Sequence, residues 1–373
     1  MSTIHMTSFL SVFCSVTLLS VAAGSPDPLL QQSVLACAEG TECLRQSAQG
    51  FSVLQNNAVK GRTDLQEESE DDHSLLEFRS KLPSPVATAA VAASAGVTCD
   101  EMLLDIVRDS LTGKALRTKQ INPSPGKDLK PVEYDEAKRD AGSTWCENCV
   151  TMAGTLRVQN VRELVRKTIE EGVPGDFLEA GAWRGGNSIM ARVVQRCTGQ
   201  GDKRKVFVSD SFSGLPKSST KGDSDIWNSM HYLEVSREMV QDNFKRFSVL
   251  DGNVEFIKGY FMRSLPLLRE RFLKDGTQLA VLRGDGDMYE SYLDILFNMY
   301  DFVPVGGYWI CDDCRVIPAA DKAVKQFREL HGVTSRVFTV AGSSMGTFWR
   351  KEAGETKVNY AWYLAWNATR KPH

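Results

Sequence analysis

The chain has 373 residues, of which 42% are hydrophobic and 24% are charged. This composition is typical of a globular protein and excludes a wholly disordered, collagen-like or coiled-coil chain. Because 44 Lys and Arg residues nearly balance 47 Asp and Glu residues, the net charge of −3 provides no basic field to attract nucleic acid.

An apolar run from Phe9 to Ala23 lies near the start of the chain. It is shorter than the roughly twenty residues that a membrane-spanning helix needs, and small residues follow it. The pattern predicts a cleaved signal peptide over residues 1–24, although no Lys or Arg precedes the run. We therefore expect a secretory or extracellular location, with an uncleaved anchor or an organelle-targeting segment as alternatives. After signal removal we expect no stable membrane span.

Residues 25–98 are rich in Gln, Ser, Ala, Glu and Asp and contain an acidic cluster at 67–72. Such a segment buries too little apolar surface to fold, and we interpret it as a largely disordered leader. A folded domain is predicted over residues 99–357, followed by a tail over 358–373. The apolar stretch at 360–366 is compatible with packed core, with an interface in a homo-oligomer, or with a surface helix.

Two of the chain's cysteine pairs have C-x-x-C spacing, Cys146 with Cys149 and Cys311 with Cys314. In an oxidising compartment these pairs favour disulfides. Reduced thiols and a four-thiolate zinc site are the alternatives, although the two pairs are far apart in the sequence. A sequon at residues 367–369 predicts a glycoprotein in the same compartment.

From about residue 99 onward, short apolar runs alternate with helical patterns. Strands are predicted to include residues 176–179, 206–208, 254–257, 279–282 and 307–311. Helices are predicted over 161–171, 187–197, 235–247, 289–300 and 319–331. This alternation indicates an α/β fold with a parallel sheet covered on both faces. Ligands of such sheets bind at the carboxyl ends of the strands, where the strand order reverses.

The first and second predicted strands end in residues that suit a nucleoside. Glycines follow Glu179, and the next helix begins soon after them, so that free backbone N–H groups are available to an anion. Asp210 ends the second strand and can accept both ribose hydroxyls. A structural glycine turn is the alternative. The spacing does not fit G-x-G-x-x-G, which disfavours a dinucleotide-dependent dehydrogenase.

Acidic residues follow the fourth and fifth predicted strands. Asp285 and Asp287 come after the fourth, and Asp312 and Asp313 come after the fifth. These carboxylates should emerge at one edge of the sheet and repel one another unless a cation lies between them. An oxygen-only site suits Mg²⁺. The alternative is that Asp312 caps a turn and Asp287 is solvated.

Eight segments occur in the order found in a known family: 151–161, 172–190, 206–216, 235–244, 254–266, 279–291, 306–313 and 346–351. Over about 200 residues the chain thus resembles the macrocin O-methyltransferase (TylF/MycF-like) family of S-adenosylmethionine-dependent enzymes. The resemblance implies a class I methyltransferase (Rossmann-like) fold. Its doubly wound sheet has seven mostly parallel strands with one antiparallel strand, here expected near Gly346 to Arg350.

The resemblance also implies roles for individual residues. The cofactor-binding set is Glu179, Gly181, Ala182, Trp183, Ser188, Asp210, Ser211, Phe212 and Gly259. Within this set, Ser188 is expected to meet the methionine carboxylate and Asp210 the ribose. The implied magnesium ligands are Asp285, Asp312 and Asp313.

The implied reaction is transfer of a methyl group to a hydroxyl of a sugar or other polyhydroxylated small molecule. Bound Mg²⁺ would lower the pKa of that hydroxyl. Asp285 is the expected catalytic proton acceptor, and His231 is a second candidate base. The alternatives are a catalytically inactive methyltransferase-fold binding protein and a nucleotide-dependent enzyme of another class. Gly284 departs from the family pattern, which has a bulky apolar residue there, and this predicts a loosened strand end.

Overall fold

A computed structural model describes residues 99–122, 129–220, 223 and 226–371. The predicted signal peptide and the predicted leader, residues 1–98, lie outside these residues. Among the described helices, none has both the length and the apolar character needed to cross a membrane.

Ten strands and nine α-helices make up the described part of the chain. The strands are β1 (Gln120–Ile121), β2 (Pro131–Val132), β3 (Trp145–Cys146), β4 (Asp176–Ala180), β5 (Val206–Asp210), β6 (Val254–Lys258), β7 (Leu279–Gly284), β8 (Tyr308–Cys311), β9 (Phe338–Thr339) and β10 (Thr347–Arg350). The helices are α1 (Cys99–Leu111), α2 (Glu136–Ala141), α3 (Gly154–Glu170), α4 (Gly186–Cys197), α5 (Arg237–Arg246), α6 (Phe261–Asp275), α7 (Tyr289–Met299), α8 (Pro318–His331) and α9 (Tyr360–Asn367).

Seven strands form the main sheet in the order β6-β5-β4-β7-β8-β10-β9. Strands β4 to β8 pair in parallel, whereas β10 runs antiparallel to both β8 and β9. This is the predicted doubly wound fold, and the antiparallel strand lies where it was expected. The order reverses between β4 and β7, so the ends of these two strands border the crevice in which ligands of such sheets bind.

Successive residues of each central strand enter two different hydrophobic cores, as the two-residue period of a strand requires. Phe177 of β4 joins the core beneath α1, α3, α4 and α5, whereas its neighbour Leu178 joins the core beneath α6, α7, α8 and α9. Tyr308 and Trp309 of β8 divide in the same way. Both faces of the sheet are therefore covered, which makes its carboxyl edge the accessible place for a ligand.

The expectation that Gly284 loosens the end of β7 is wrong. Gly284 is buried and paired with Ala180 on one side and Cys311 on the other. A Cβ atom at this position would lie 2.6 Å from the ring of Trp309, so the indole already fills the space of a larger side chain. The strand end is held by packing from the neighbouring strand.

Helix α9, which contains the apolar stretch at 360–366, packs into the core. Tyr363 is fully buried, and the ring of Trp362 stacks on that of Phe297 in α7 with centroids 4.9 Å apart. Of the three alternatives for this stretch, packed core is the one that the structure shows. The helix thereby brings the residues that follow it towards the carboxyl edge of the sheet.

Candidate active site

The turn after β4 requires glycine. Gly181 has a φ of +93°, and a Cβ atom on it would lie 1.6 Å from the carbonyl oxygen of Asp285. The amide of Asp285 donates to the carbonyl of Ala180 at 2.8 Å, so the ends of β4 and β7 are in direct backbone contact. The predicted glycine turn thus lies beside the first predicted metal ligand.

Asp210 is held in place by the backbone of two turns. One carboxylate oxygen accepts from the amides of Ala182 at 2.9 Å and Trp183 at 3.2 Å, and the other from the amide of Phe212 at 2.8 Å. Trp183 and Phe212 have φ values of 47° and 54°, a region that side-chain-bearing residues rarely adopt. Burial raises the pKa of Asp210 despite these three bonds.

A first cavity lies at the ends of β4, β5 and β7. Its lining includes Gly181, Trp183, Asp210, Ser211, Tyr260 and Asp285. Five of the residues predicted to bind the cofactor or metal therefore meet in one place. Gly259, with a φ of +142°, precedes Tyr260 and accepts a hydrogen bond from Ser264. Gly259 and Phe212, although predicted to bind the cofactor, are not among the residues that line this cavity.

Ser188 lies behind Glu179 and lines neither described cavity. It is fully buried, its amide donates to Glu179 Oε2 at 3.1 Å, and its hydroxyl donates to the same oxygen. In this structure Ser188 therefore orients Glu179, and its hydroxyl is not presented to a ligand.

Three of the predicted acids form a cluster at the ends of β7 and β8. Each of Asp285, Asp312 and Asp313 offers a carboxylate oxygen, and these oxygens lie within 4.8 Å of one another. Within the described part of the chain, no hydrogen bond is donated to Oδ1 of Asp285 or to Oδ1 of Asp313. An all-oxygen set with open lone pairs fits a hard divalent cation such as Mg²⁺.

Two arginines partly neutralise the negative charge of this cluster. Arg283 is 1% exposed and donates to Glu179 at 2.6 Å, to Asp285 at 3.0 Å and to Asp312. Arg157 donates to the other oxygen of Asp312 at 2.6 Å. Since both arginines reach Asp312, this acid is the most strongly fixed of the three.

Burial, together with the remaining negative charge, raises the pKa of three of these carboxyls. Burial, with Asp312 beside it, raises the pKa of Asp285 well above its usual range. Burial and the neighbouring acids do the same to the pKa of Asp287 and of Asp313. Five acids, including Glu179, thus surround two arginines, a charge imbalance that a divalent cation would relieve.

A second cavity, with a volume of about 390 Å³, adjoins the first, and the two share lining residues that include Trp183, Asp285 and Asp287. Its floor contains Asp285, Asp312 and Asp313, and its walls carry Trp145, Trp183, Trp227, Met345 and Ile317. Trp227 and Leu233 contribute to it from the segment that precedes α5. Asp285 is common to both cavities.

Both C-x-x-C pairs are disulfide-bonded, Cys146 to Cys149 and Cys311 to Cys314. The four-thiolate zinc alternative is therefore wrong for this structure. The second disulfide brackets Asp312 and Asp313, so it closes the short loop that carries two acids of the cluster.

Sequence reasoning missed the groups that hold the acids. Arg157 and Arg283 both lie in segments that carry the family resemblance, but no local pattern shows that they converge on Asp312. His231, the second candidate base, has an 84% exposed side chain paired with Glu234 and lines neither described cavity.

Comparison with known proteins decides the family. Residues 95–351 match the Macrocin-O-methyltransferase (TylF) family. The chain belongs to this family. As a member of it, the protein is an S-adenosylmethionine-dependent O-methyltransferase.

Two curated relatives and one solved structure illustrate the similarity. Demethyldecarbamoylnovobiocin O-methyltransferase of Streptomyces niveus is 38% identical over 223 residues, which is 58% of this chain and 82% of the relative. The 8-demethyl-8-(2,3-dimethoxy-alpha-L-rhamnosyl)-tetracenomycin-C 4'-O-methyltransferase of Streptomyces olivaceus is 34% identical over 69% of this chain and 95% of the relative. The structure of the O-methyltransferase NovP superposes with a TM-score of 0.60 at 34% identity, over 68% of this chain and 99% of NovP.

Proposed function

We propose that the protein transfers a methyl group to a hydroxyl of a sugar or other polyhydroxylated small molecule, with Mg²⁺ bound by Asp285, Asp312 and Asp313. The observation that carries this proposal is the position of Asp285 on the walls of both cavities. A group at that position can act on a donor in one cavity and an acceptor in the other.

The first cavity suits the nucleoside of the methyl donor. Gly181 lets a ligand approach the backbone, and Asp210 presents a fixed carboxylate to a diol. Tyr260, which follows β6 at the same edge of the sheet, adds an aromatic side chain to the wall. S-adenosylmethionine supplies the methyl group and leaves as a neutral thioether.

The second cavity suits a hydroxylated acceptor that also carries apolar surface. Its walls are mainly aromatic and aliphatic, whereas its floor is acidic, a combination that orients a ligand by one polar end. The Streptomyces olivaceus relative is named for a rhamnosyl tetracenomycin and the Streptomyces niveus relative for a novobiocin derivative. A glycoside with an apolar aglycone is therefore the first acceptor class to test.

The carboxylate cluster would hold Mg²⁺ through oxygens of Asp285, Asp312 and Asp313. When bound, Mg²⁺ lowers the pKa of a hydroxyl that it contacts. Arg283 and Arg157 keep Asp312 in place, and Tyr292 donates to Asp313 at 2.8 Å. These bonds preorganise the cluster before any ligand enters.

Asp285 accepts the proton of the acceptor hydroxyl. Arg283 donates to one of its oxygens at 3.0 Å, so the carboxylate is held in a fixed orientation between the two cavities. The acceptor oxygen forms a bond to the methyl carbon while the carbon–sulfur bond breaks, and the proton stays on the carboxyl group. Because charge is neutralised in this transfer, alignment of donor and acceptor matters more than acid catalysis.

We also propose that the protein acts in the secretory pathway or another oxidising compartment. The two disulfides support this location, since such bonds persist where thiols are oxidised. Glycosidase digestion of protein from secreting cells tests it: a mass decrease that the Asn367→Gln variant lacks supports the proposal, and an unglycosylated reduced protein in the cytosol contradicts it.

The function is tested with methyl-labelled S-adenosylmethionine, Mg²⁺ and a panel of free sugars, glycosides and catechols. Label recovered in a sugar hydroxyl supports the proposal. Label confined to catechols would contradict the acceptor class, and no binding of S-adenosylhomocysteine in calorimetry would contradict the donor site.

A further inference from the structure

The segment that follows the family match ends at the first cavity. The match covers residues 95–351, whereas Arg370, beyond helix α9, is among the residues that line this cavity. Arg370 is only 8% exposed, so its guanidinium is an internal group. The cavity wall therefore includes a contribution from a part of the chain that the family match does not span.

Arg370 lies between two buried acids of α7. It donates to Asp294 at 2.6 Å and pairs with Glu290 at 3.2 Å, and both acids are nearly inaccessible to water. Tyr363 of α9 donates to the same oxygen of Asp294 at 2.7 Å. Removing the guanidinium would take away a cation that both of these buried carboxylates contact.

The same guanidinium reaches the loop that follows β5. Arg370 Nε donates to the hydroxyl of Ser219 at 2.9 Å. The amide of Ser219 donates to Glu290 at 3.0 Å and its hydroxyl donates to the same carboxylate. Ser219, Glu290 and Arg370 thus form a closed triangle of hydrogen bonds.

This triangle anchors residues that form the cavity. Gly214, Leu215 and Pro216, which precede Ser219, all line the first cavity. Further along the loop, Asp223 accepts from the amides of Tyr289 and Glu290 at 2.6 and 3.0 Å and so caps the start of α7. The loop is therefore attached to α7 at two points, and Arg370 contacts both partners of one of them.

We propose that Arg370 is a positioning residue for the methyl donor: it fixes the loop at residues 214–219 against α7, so that the C-terminal segment sets the affinity of the first cavity for the donor nucleoside. This inference rests on one part of the proposed function, namely that the first cavity binds the nucleoside of the methyl donor. It adds that donor affinity depends on residues beyond the family match.

The test is a calorimetric titration of the full chain with S-adenosylhomocysteine. Wild type is titrated first, because absence of binding there contradicts the proposed function and leaves the role of Arg370 a separate question. If wild type binds, Arg370→Met should raise the Kd about tenfold. Arg370→Lys keeps the charge but not the planar donor set, so its Kd should lie between those of wild type and Arg370→Met.

A double-mutant cycle separates positioning from a general loss of packing. Ser219→Ala alone should weaken binding about threefold, and Ser219→Ala with Arg370→Met should bind no more weakly than Arg370→Met alone, because both changes break one network. The matched control is Trp362→Leu, which removes a stacking contact of α9 outside the triangle. It should lower the melting temperature and leave the Kd unchanged.

Three results would overturn the inference. An unchanged Kd in Arg370→Met shows that the segment does not affect the cavity. If Arg370→Met raises the Kd and Ser219→Ala does not, Arg370 contacts the ligand directly and does not act by positioning the loop. A Kd that rises equally in Trp362→Leu shows a packing effect alone.

Discussion

Replacing Arg283 by Met tests whether the acidic cluster depends on its buried arginine. The guanidinium is 1% exposed and pairs with Glu179, which is equally buried, and with Asp312, which is 8% exposed. Removing one partner from a buried ion pair destabilises a protein by about 3–5 kcal/mol, because the other charge stays buried and unpaired. Arg157 still reaches Asp312, so the larger part of this loss falls on Glu179.

The loss corresponds to a fall in Tm of about 6–10 °C for a domain of this size. Thermal unfolding in the presence of a chelator measures it. The control is Arg246→Met, since Arg246 pairs with Asp242 at 2.8 Å but the two side chains are 71% and 52% exposed. An exposed pair of this kind contributes less than about 1 kcal/mol.

Added Mg²⁺ should restore part of the lost Tm in Arg283→Met. A cation bound by Asp285 and Asp312 replaces some of the missing positive charge, whereas Glu179 remains unpaired. A fall in Tm no larger than that of the control would refute the reasoning, since it would show that the acids tolerate the loss of the guanidinium.

Three further predictions concern the turn, the disulfide and a buried acid. Gly181→Ala should abolish binding of S-adenosylhomocysteine, because the added methyl group would lie 1.6 Å from the carbonyl oxygen of Asp285, which follows β7. Calorimetry that detects normal binding would contradict this. The Cys311→Ser, Cys314→Ser double variant should weaken Mg²⁺ binding about 3–10-fold by freeing the loop of the cluster, whereas Cys197→Ser, at an exposed free thiol, should not. Burial raises the pKa of Asp294 to about 6 from 3.8, so ionising it costs the folded state stability as pH rises from about 4 to about 6. The free energy of unfolding of Asp294→Asn relative to wild type should therefore rise by about 3 kcal/mol over that range, and denaturant unfolding that shows a constant difference would contradict it.

The main sheet was predictable because its strands are buried on both faces. Runs such as the one at 279–282 are apolar throughout, which is typical of a parallel sheet between two helical layers. The same argument predicts that Asp285, Asp312 and Asp313 lie at one edge of the sheet, as they do. The positions of strand ends are set by topology. Residues that follow adjacent parallel strands therefore lie close together, however long the chain segment that separates them.

Helix α6 is not among the predicted helices, and it contains Pro266. Proline inside a helical pattern normally ends the helix, yet here it occupies the sixth position of α6. Leu265, Leu268 and Phe272 are buried at helical spacing. That periodicity is the sequence signal that indicates the helix.

The partners of the acids were not predictable from the sequence. Arg157 and Asp312 are 155 residues apart, and no periodic pattern links them. The same holds for Arg370 and Ser219, which are 151 residues apart. Contacts between such distant side chains depend on how the helices and loops pack, whereas the positions of the strand ends follow from the sheet alone.

The account depends most on Asp285 serving a donor cavity and a metal-binding acceptor cavity at once. The most direct measurement is methyl transfer to the acceptor found by screening, in Mg²⁺ and in excess chelator, for wild type and Asp285→Asn. We expect turnover to fall at least about a thousandfold in the chelator and in the variant, while the Kd for S-adenosylhomocysteine in the variant stays within about threefold of the wild-type value. Full turnover in chelator, or full turnover by Asp285→Asn, would contradict the account.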